Sequence, residues 1–331
     1  MASSGETVLL VGTRRQVCRV GWTAHGKAEL LGEPTPLPHA AARLAVCRTQ
    51  PQVVYLAAYE AGVWRSDDGG ASWQRLEAYP VQHAHSVAVH PQDAALVYVG
   101  SEPAAIFCSR DGGATWQECS RFRQLPEAKQ WHFYAPRQAH VRELVMAPDD
   151  SAYLYAGLEV GGVVRSTDGG ATWQQLHGPH EDVHSLSVTP AQPRVIYAGT
   201  ARWPWRSNDG GTSWTAIGTG LPYQYTVPVA VAPDNPDLVL VACSTGFQRQ
   251  KSRMARSSDG GRSWQEPVWL GPDTDMAVAI AWDASDPRVV YAGTDGGMLY
   301  RSTDRGATWQ ALEVTLDSVA VGSLVVMPRC P

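Results

Sequence analysis

Seven of the ten histidines, His83, His85, His132, His140, His177, His180 and His184, fall in the loops that lead into three successive apolar segments, within about a hundred of the 331 residues. The same stretch carries Glu102, Glu159, Asp182 and Arg142. Imidazole with carboxylate is the donor set that binds zinc, iron, manganese or copper, and the same pair moves protons as general base and acid. Two chemistries therefore stand open. One is a divalent transition metal held by His85, His140 and His184; the other is acid–base catalysis by those histidines with Glu102 and Glu159, Arg142 anchoring an anion. The spacing does not choose between them. A structural role, as hydrogen-bonding residues at strand starts, is the alternative for any single one of these side chains.

What positions them is a repeat. The phrase Ser-x-Asp-x-Gly-x-Ser/Thr-Trp occurs six times, at Ser66–Trp73, Ser109–Trp116, Ser166–Trp173, Ser207–Trp214, Ser257–Trp264 and Ser302–Trp309. Asp and Ser oxygens close tight turns by accepting nearby backbone amides. Gly70, Gly113, Gly170, Gly211, Gly261 and Gly306 stand where the turn needs a positive φ, and the Trp returns apolar area to a sheet. Around each box lie an apolar segment ending near Pro, such as His85–Pro91, Arg142–Pro148 and His184–Pro190, and a short tyrosine-containing strand, such as Val97–Gly100 or Leu154–Gly157. A third strand runs into the box and the Trp opens a fourth. Four short strands in about 40–50 residues is propeller geometry. Thr7–Gly12 matches a second strand and Ser318–Pro328 a first strand, so the two partial repeats complete each other. The expectation is an all-β, seven-bladed β-propeller, a single domain over 1–331, its ring closed by the C-terminal strand.

Repeat alignment assigns a mouth. Counting back from the Pro that ends each first strand gives His85, Arg142, His184 and Val227 at one level and His83, His140, Asp182 and Tyr225 two residues earlier; the next blade contributes Ala277 and Asp275. After the second strands stand Arg14, Glu60, Glu102, Glu159, Arg202 and Asp295. The boxes are separated by 43, 57, 41, 50 and 45 residues, which places insertions near 118–139 and 246–253. The first, with Trp131, His132, Phe133, Tyr134 and Arg137, reads as a lid over the mouth; the second offers Phe247, Arg249, Lys251 and Arg253. The substrate-binding candidates are thus Trp131, His132, Tyr134, Arg202, Asp182 and Asp275, while Trp203 and Trp205 could stack a sugar ring but suit the core better.

A formal charge of −5 without a basic run argues against nucleic acid, and no apolar stretch reaches the roughly 20 residues of a membrane span. Cys18, Cys47, Cys108, Cys119, Cys243 and Cys330 show no paired spacing, as expected of reduced thiols in a cytoplasmic protein.

The six boxes resemble the Asp-box, or BNR, repeat of sialidases, sortilin-type receptors, two-domain xyloglucanases and photosystem II assembly factors. Over nearly the whole chain the sequence is similar to sialidase-like bacterial proteins related to those assembly factors. The sialidase resemblance implies an arginine triad, imitated by Arg14, Arg142 and Arg202, and a Tyr nucleophile at Tyr225; the Arg-Ile-Pro motif of that family is missing. Two functions follow: a small-molecule enzyme of hydrolase or lyase type, metal-dependent or acid–base, at a His/Glu/Arg mouth, or a scaffold that binds a peptide or protein on the same face.

Overall fold

The computed structural model describes residues 7–23, 25–179, 182–190, 194–248, 250–273, 275–316 and 320–328; His180, Arg249 and Cys330 lie outside these. Its seven antiparallel sheets are the seven blades of a β-propeller. Blades 2 to 7 begin with the inner strands Ala41–Val46, Ala84–Val89, His140–Met146, Val183–Val188, Tyr225–Ala232 and Ala277–Trp282. Blade 1 takes its inner strand, Val321–Val326, from the C-terminal end of the chain, paired antiparallel with Leu9–Thr13. Chain closure of this kind pairs an edge that would otherwise stand open.

Each box is a closed hydrogen-bond circuit. In the first, the Gly70 amide donates to Ser66 Oγ at 2.8 Å, Ser66 Oγ donates to Asp68 Oδ1, and Asp68 accepts both the amide and the hydroxyl of Ser72. The partners lie up to four residues ahead, further than a simple Asx turn reaches. Arg305 occupies the place where five boxes have glycine and adopts φ 62°, held by an ion pair to Asp234. Five box indoles donate to their own box carbonyls, whereas Trp264 donates to Ile217 O of the preceding blade at 2.8 Å. In blade 6, which carries Trp264, Met254–Val268 is the only bridge beyond the third strand among the described residues, so its expected fourth strand is reduced to a single pair.

Blade-to-blade contact comes from the second strands. Tyr55, Tyr98, Tyr155 and Tyr197 are fully buried and donate their hydroxyls to Ala94 O, Gly169 O, Gly210 O and Pro236 O of the next blade. Two residues on, Gly100, Gly157 and Gly199 lie against the next inner strand. A Cβ on Gly100 would come within 2.6 Å of Val141 Cβ, and one on Gly157 within 2.7 Å of Val183 Cγ1. Glycine is required there by close approach, because any side chain would displace the neighbouring blade.

Every inner strand carries a bulge near its mouth end. The pairing skips Gly322, Ala42, His85, Arg142, His184 and Val278 in blades 1, 2, 3, 4, 5 and 7, and both Val227 and Pro228 in blade 6. A bulge leaves one residue unpaired and re-aims its side chain. In three consecutive blades that residue is ionisable.

Candidate functional site

The bulge register corrects the alignment by one residue in three blades. The amides of Tyr59, Glu102, Ala201 and Asp295 donate to the carbonyls of Ala40, His83, Asp182 and Met276, which identifies the equivalent positions. Tyr59, not Glu60, is therefore the partner of Glu102 in blade 2, and Ala201, not Arg202, its counterpart in blade 5. Val278 and Met276, not Ala277 and Asp275, align with His184 and Asp182. Asp275 turns away: it accepts the Gly296 amide at 2.6 Å, within its own blade. Burial raises its pKa. Arg202 is exposed, its carbonyl accepting from Thr200 Oγ1 and the Trp205 indole. Trp203 packs into the core between blades 5 and 6, and Trp205 into the one between blades 4 and 5.

The ionisable bulge residues assemble two adjoining clusters. In the first, His85 Nε2 lies 3.0 Å from Glu102 Oε2 and the His140 ring stacks on His85. Arg137 donates to Glu102 Oε2 through Nε and Nη2, at 3.3 and 2.9 Å, and the Gln138 amide donates to Oε1 at 2.9 Å. Tyr59 stands against His83 and His85 with centroids 5.1 and 5.0 Å apart, and under the Arg137 guanidinium at 5.2 Å. In the second, Arg142 pairs with Glu159, while His184 donates through Nδ1 to Thr226 O, 2.7 Å away, and packs on Tyr225 with centroids 4.7 Å apart. Donor atoms of His85, Glu102 and His140 all fall within 4.8 Å of one another, and so do those of Glu159, Asp182 and His184. The histidine trio expected to share a metal is thus divided: His85 and His140 share Glu102, and His184 belongs to the neighbouring cluster one blade along.

Electrostatics separate the roles of acid and imidazole. Burial lowers the pKa of His85 despite Glu102, and burial together with His85 lowers that of His140 to about 3. Both rings are neutral at physiological pH. Burial opposes ionisation of Glu102, but hydrogen bonds from His85, Arg137 and the Gln138 amide hold its carboxyl far below the usual range. Burial likewise opposes ionisation of Glu159, and Arg142 with His184 outweighs it. Two neutral imidazoles around an ionised carboxylate is the protonation state a metal requires, whereas neither glutamate holds a proton to donate.

The insertion is a wall rather than a lid. Trp131 donates its indole to Gln175 Oε1 at 3.3 Å and packs on Phe122 with centroids 4.9 Å apart. His132 is exposed and turns its Nδ1 to Gln130 O, and Tyr134 stands 77% exposed at the tip. Phe133 sets its ring edge-on to His140, centroids 5.5 Å apart. Tyr59, Arg137 and Phe133 join the site beyond the residues the repeat alignment points to; in the sequence Arg137 and Phe133 stand out only by lying in the insertion.

One residue below the bulges, Arg43 of blade 2 pairs with Glu143 of blade 4, Nη2 to Oε2 at 2.8 Å, across the central channel. The same guanidinium reaches His184 O of blade 5 and Gly322 O of blade 1, each at 3.4 Å. Beneath it the channel holds about 270 Å³, lined by Ser185, Val229, Ile280, Trp282 and Leu324 among others.

Comparison with known proteins places these features in context. Residues 161–267 match the family model described as Sortilin, neurotensin receptor 3. The chain is 27% identical over 164 residues to a probable oligoxyloglucan-reducing end-specific xyloglucanase of Neosartorya fischeri, covering 46% of this chain and 19% of that protein. It is 33% identical over 95 residues to the xyloglucanase Xgh74A of Acetivibrio thermocellus, covering 26% and 11%. The chain thus spans less than a fifth of these curated relatives. Among solved structures, the GH74 xyloglucanase of Xanthomonas campestris superposes with a TM-score of 0.67 at 17% identity, over 98% of this chain and 55% of that one. YCF48 bound to D1 peptide superposes with a TM-score of 0.59 at 18% identity, over 83% of each chain. What these structures share with the chain is the propeller fold.

Proposed function

We propose that the chain is a hydrolase-type enzyme acting on a small molecule at the mouth, with a divalent transition metal held by His85, Glu102 and His140. The observation that carries this reading is the first cluster: the half-buried His85 and the buried His140 around the buried Glu102 carboxylate, their donor atoms within 4.8 Å of one another. Three protein ligands leave room for a water, whose pKa a metal lowers enough to make it a nucleophile near neutral pH. Beside it, Arg142 anchors an anionic group of the substrate, with Asp182, Glu159, His184 and Tyr225 setting its orientation. The likeness to xyloglucanases supports hydrolysis as the class of reaction, and short xyloglucan fragments belong in the first substrate panel.

The test is the metal content of tag-free protein by plasma mass spectrometry, for the wild type and a His85→Ala/His140→Ala variant, with turnover of chromogenic esters, phosphates and glycosides on the same samples. Near one equivalent of metal, lost together with turnover in the variant, supports the reading. Wild-type protein without metal and without turnover overturns it. The second reading is then a scaffold that receives a peptide at the same mouth, favoured by the overlap with the peptide-bound YCF48 structure over 83% of both chains.

A further inference from the structure

We propose that the cavity walled by the insertion between blades 3 and 4 binds a ring bearing a carboxylate and presents it to the Glu102 cluster. The cavity holds about 480 Å³, within the range of small-molecule sites. Its cations are Arg123, Lys129 and Arg137, its ring walls Trp131 and Phe133, and no carboxylate lines it. Arg123 is already matched by Glu118 at 2.6 and 2.8 Å. Lys129 is exposed and has no ion pair among the described residues. Arg137 commits Nε and Nη2 to Glu102 and also hydrogen-bonds the Tyr59 side chain, so Lys129 is the cation left for a ligand oxygen.

The walls are built before any ligand arrives. Arg137 is fixed over the rings of Tyr59 and Phe133 at 5.2 and 5.3 Å. Trp131 is pinned by Gln175, and its ring lies so close to Gly161 that a Cβ there would approach it to 2.9 Å. A preformed aromatic wall receives the face of a ring without paying to order itself, while the Lys129 ammonium selects a carboxylate. The route onward is short. Arg137 and Gln138 line the cavity and both donate to Glu102, and Phe133 touches His140. That a bound molecule is also the substrate rests on the proposed function; the binding itself does not.

The two sources of this chemistry, an acidic sugar and an aromatic acid, are separated by titrating the untreated protein with glucuronate, benzoate, methyl glucoside and benzyl alcohol, followed by ligand-observed NMR. The charged member of one pair is expected to bind about tenfold tighter than its neutral counterpart, an advantage that Lys129→Gln removes and that 0.5 M salt weakens. Stronger glucuronate binding assigns an acidic saccharide, and stronger benzoate binding an aromatic acid. Equal binding of charged and neutral probes, no binding of either acid, or an unchanged affinity in Lys129→Gln overturns the proposal. Selective binding without turnover leaves the cavity assignment standing and removes the enzymatic reading.

Discussion

The imidazole rings of His85 and His140 stack with centroids 4.2 Å apart and 26° between their planes, although they come from different blades. Packing and ligation can be told apart at this pair. His140→Phe keeps a ring on His85 and removes the nitrogens, so it is expected to lose the metal proposed for this site while melting near the wild type. His140→Ala loses both, at a cost of about 2 kcal/mol for the cavity. Metal analysis beside thermal melts reads the two effects separately, and metal retained by His140→Phe would exclude this histidine as a ligand.

The Arg43–Glu143 pair is only partly open to water, with side chains 24% and 14% exposed. Arg43→Met leaves Glu143 facing a low-dielectric channel and is expected to cost about 3 kcal/mol. Arg43→Met/Glu143→Leu should recover most of that loss, since a well-packed apolar pair replaces a desolvated ionic one. Urea melts of the two singles and the double close the cycle; a double mutant as unstable as the sum of the singles would contradict this account.

Acid stability should track the boxes. Hydrogen bonds from Thr115 and Ser109 lower the pKa of Asp111 from its usual value near 3.8 to about 2. A depressed folded pKa contributes stability that is present above the unfolded value and lost as pH falls through the folded one. The loss therefore falls between about pH 4 and pH 2. Melting temperature against pH should fall steeply in that window for the wild type and less steeply for Asp111→Asn, which starts lower at neutral pH.

Gly100→Ala tests the spacing of the ring. The added methyl meets Ser86 Oγ at 2.4 Å and Val141 at 2.6 Å, in the strand that leads to Arg142. Overpacking of this kind is expected to cost about 2–3 kcal/mol and to reduce activity as well, because Arg142 is displaced with its strand. Full activity in a destabilised variant would show that the mouth tolerates the shift.

The blade count, the closing strand and the box hairpins could all be read from the sequence because each is a local pattern repeated at a fixed period. His85, Arg142 and His184 were also legible: a Pro six residues on marks the strand end and thereby the bulge. Tyr59 is not legible because the acidic Glu60 beside it mimics the carboxylates of the next two blades, and Asp275 is misplaced because blade 7 has no Pro to fix its register. Division of the histidines between two clusters depends on which blade Glu102 and Glu159 lean toward, a matter of tertiary packing that spacing does not encode. Trp131 suggested a lid from its position in a long loop, but Phe122 from the same insertion and Gln175 from the next blade hold it in the wall.

The Arg43–Glu143 bridge turns the top of the channel into a chamber with a floor. The pair stands between the two clusters and the cavity of about 270 Å³ beneath. A long polymer lying in this mouth would meet that bridge before it reached the box side.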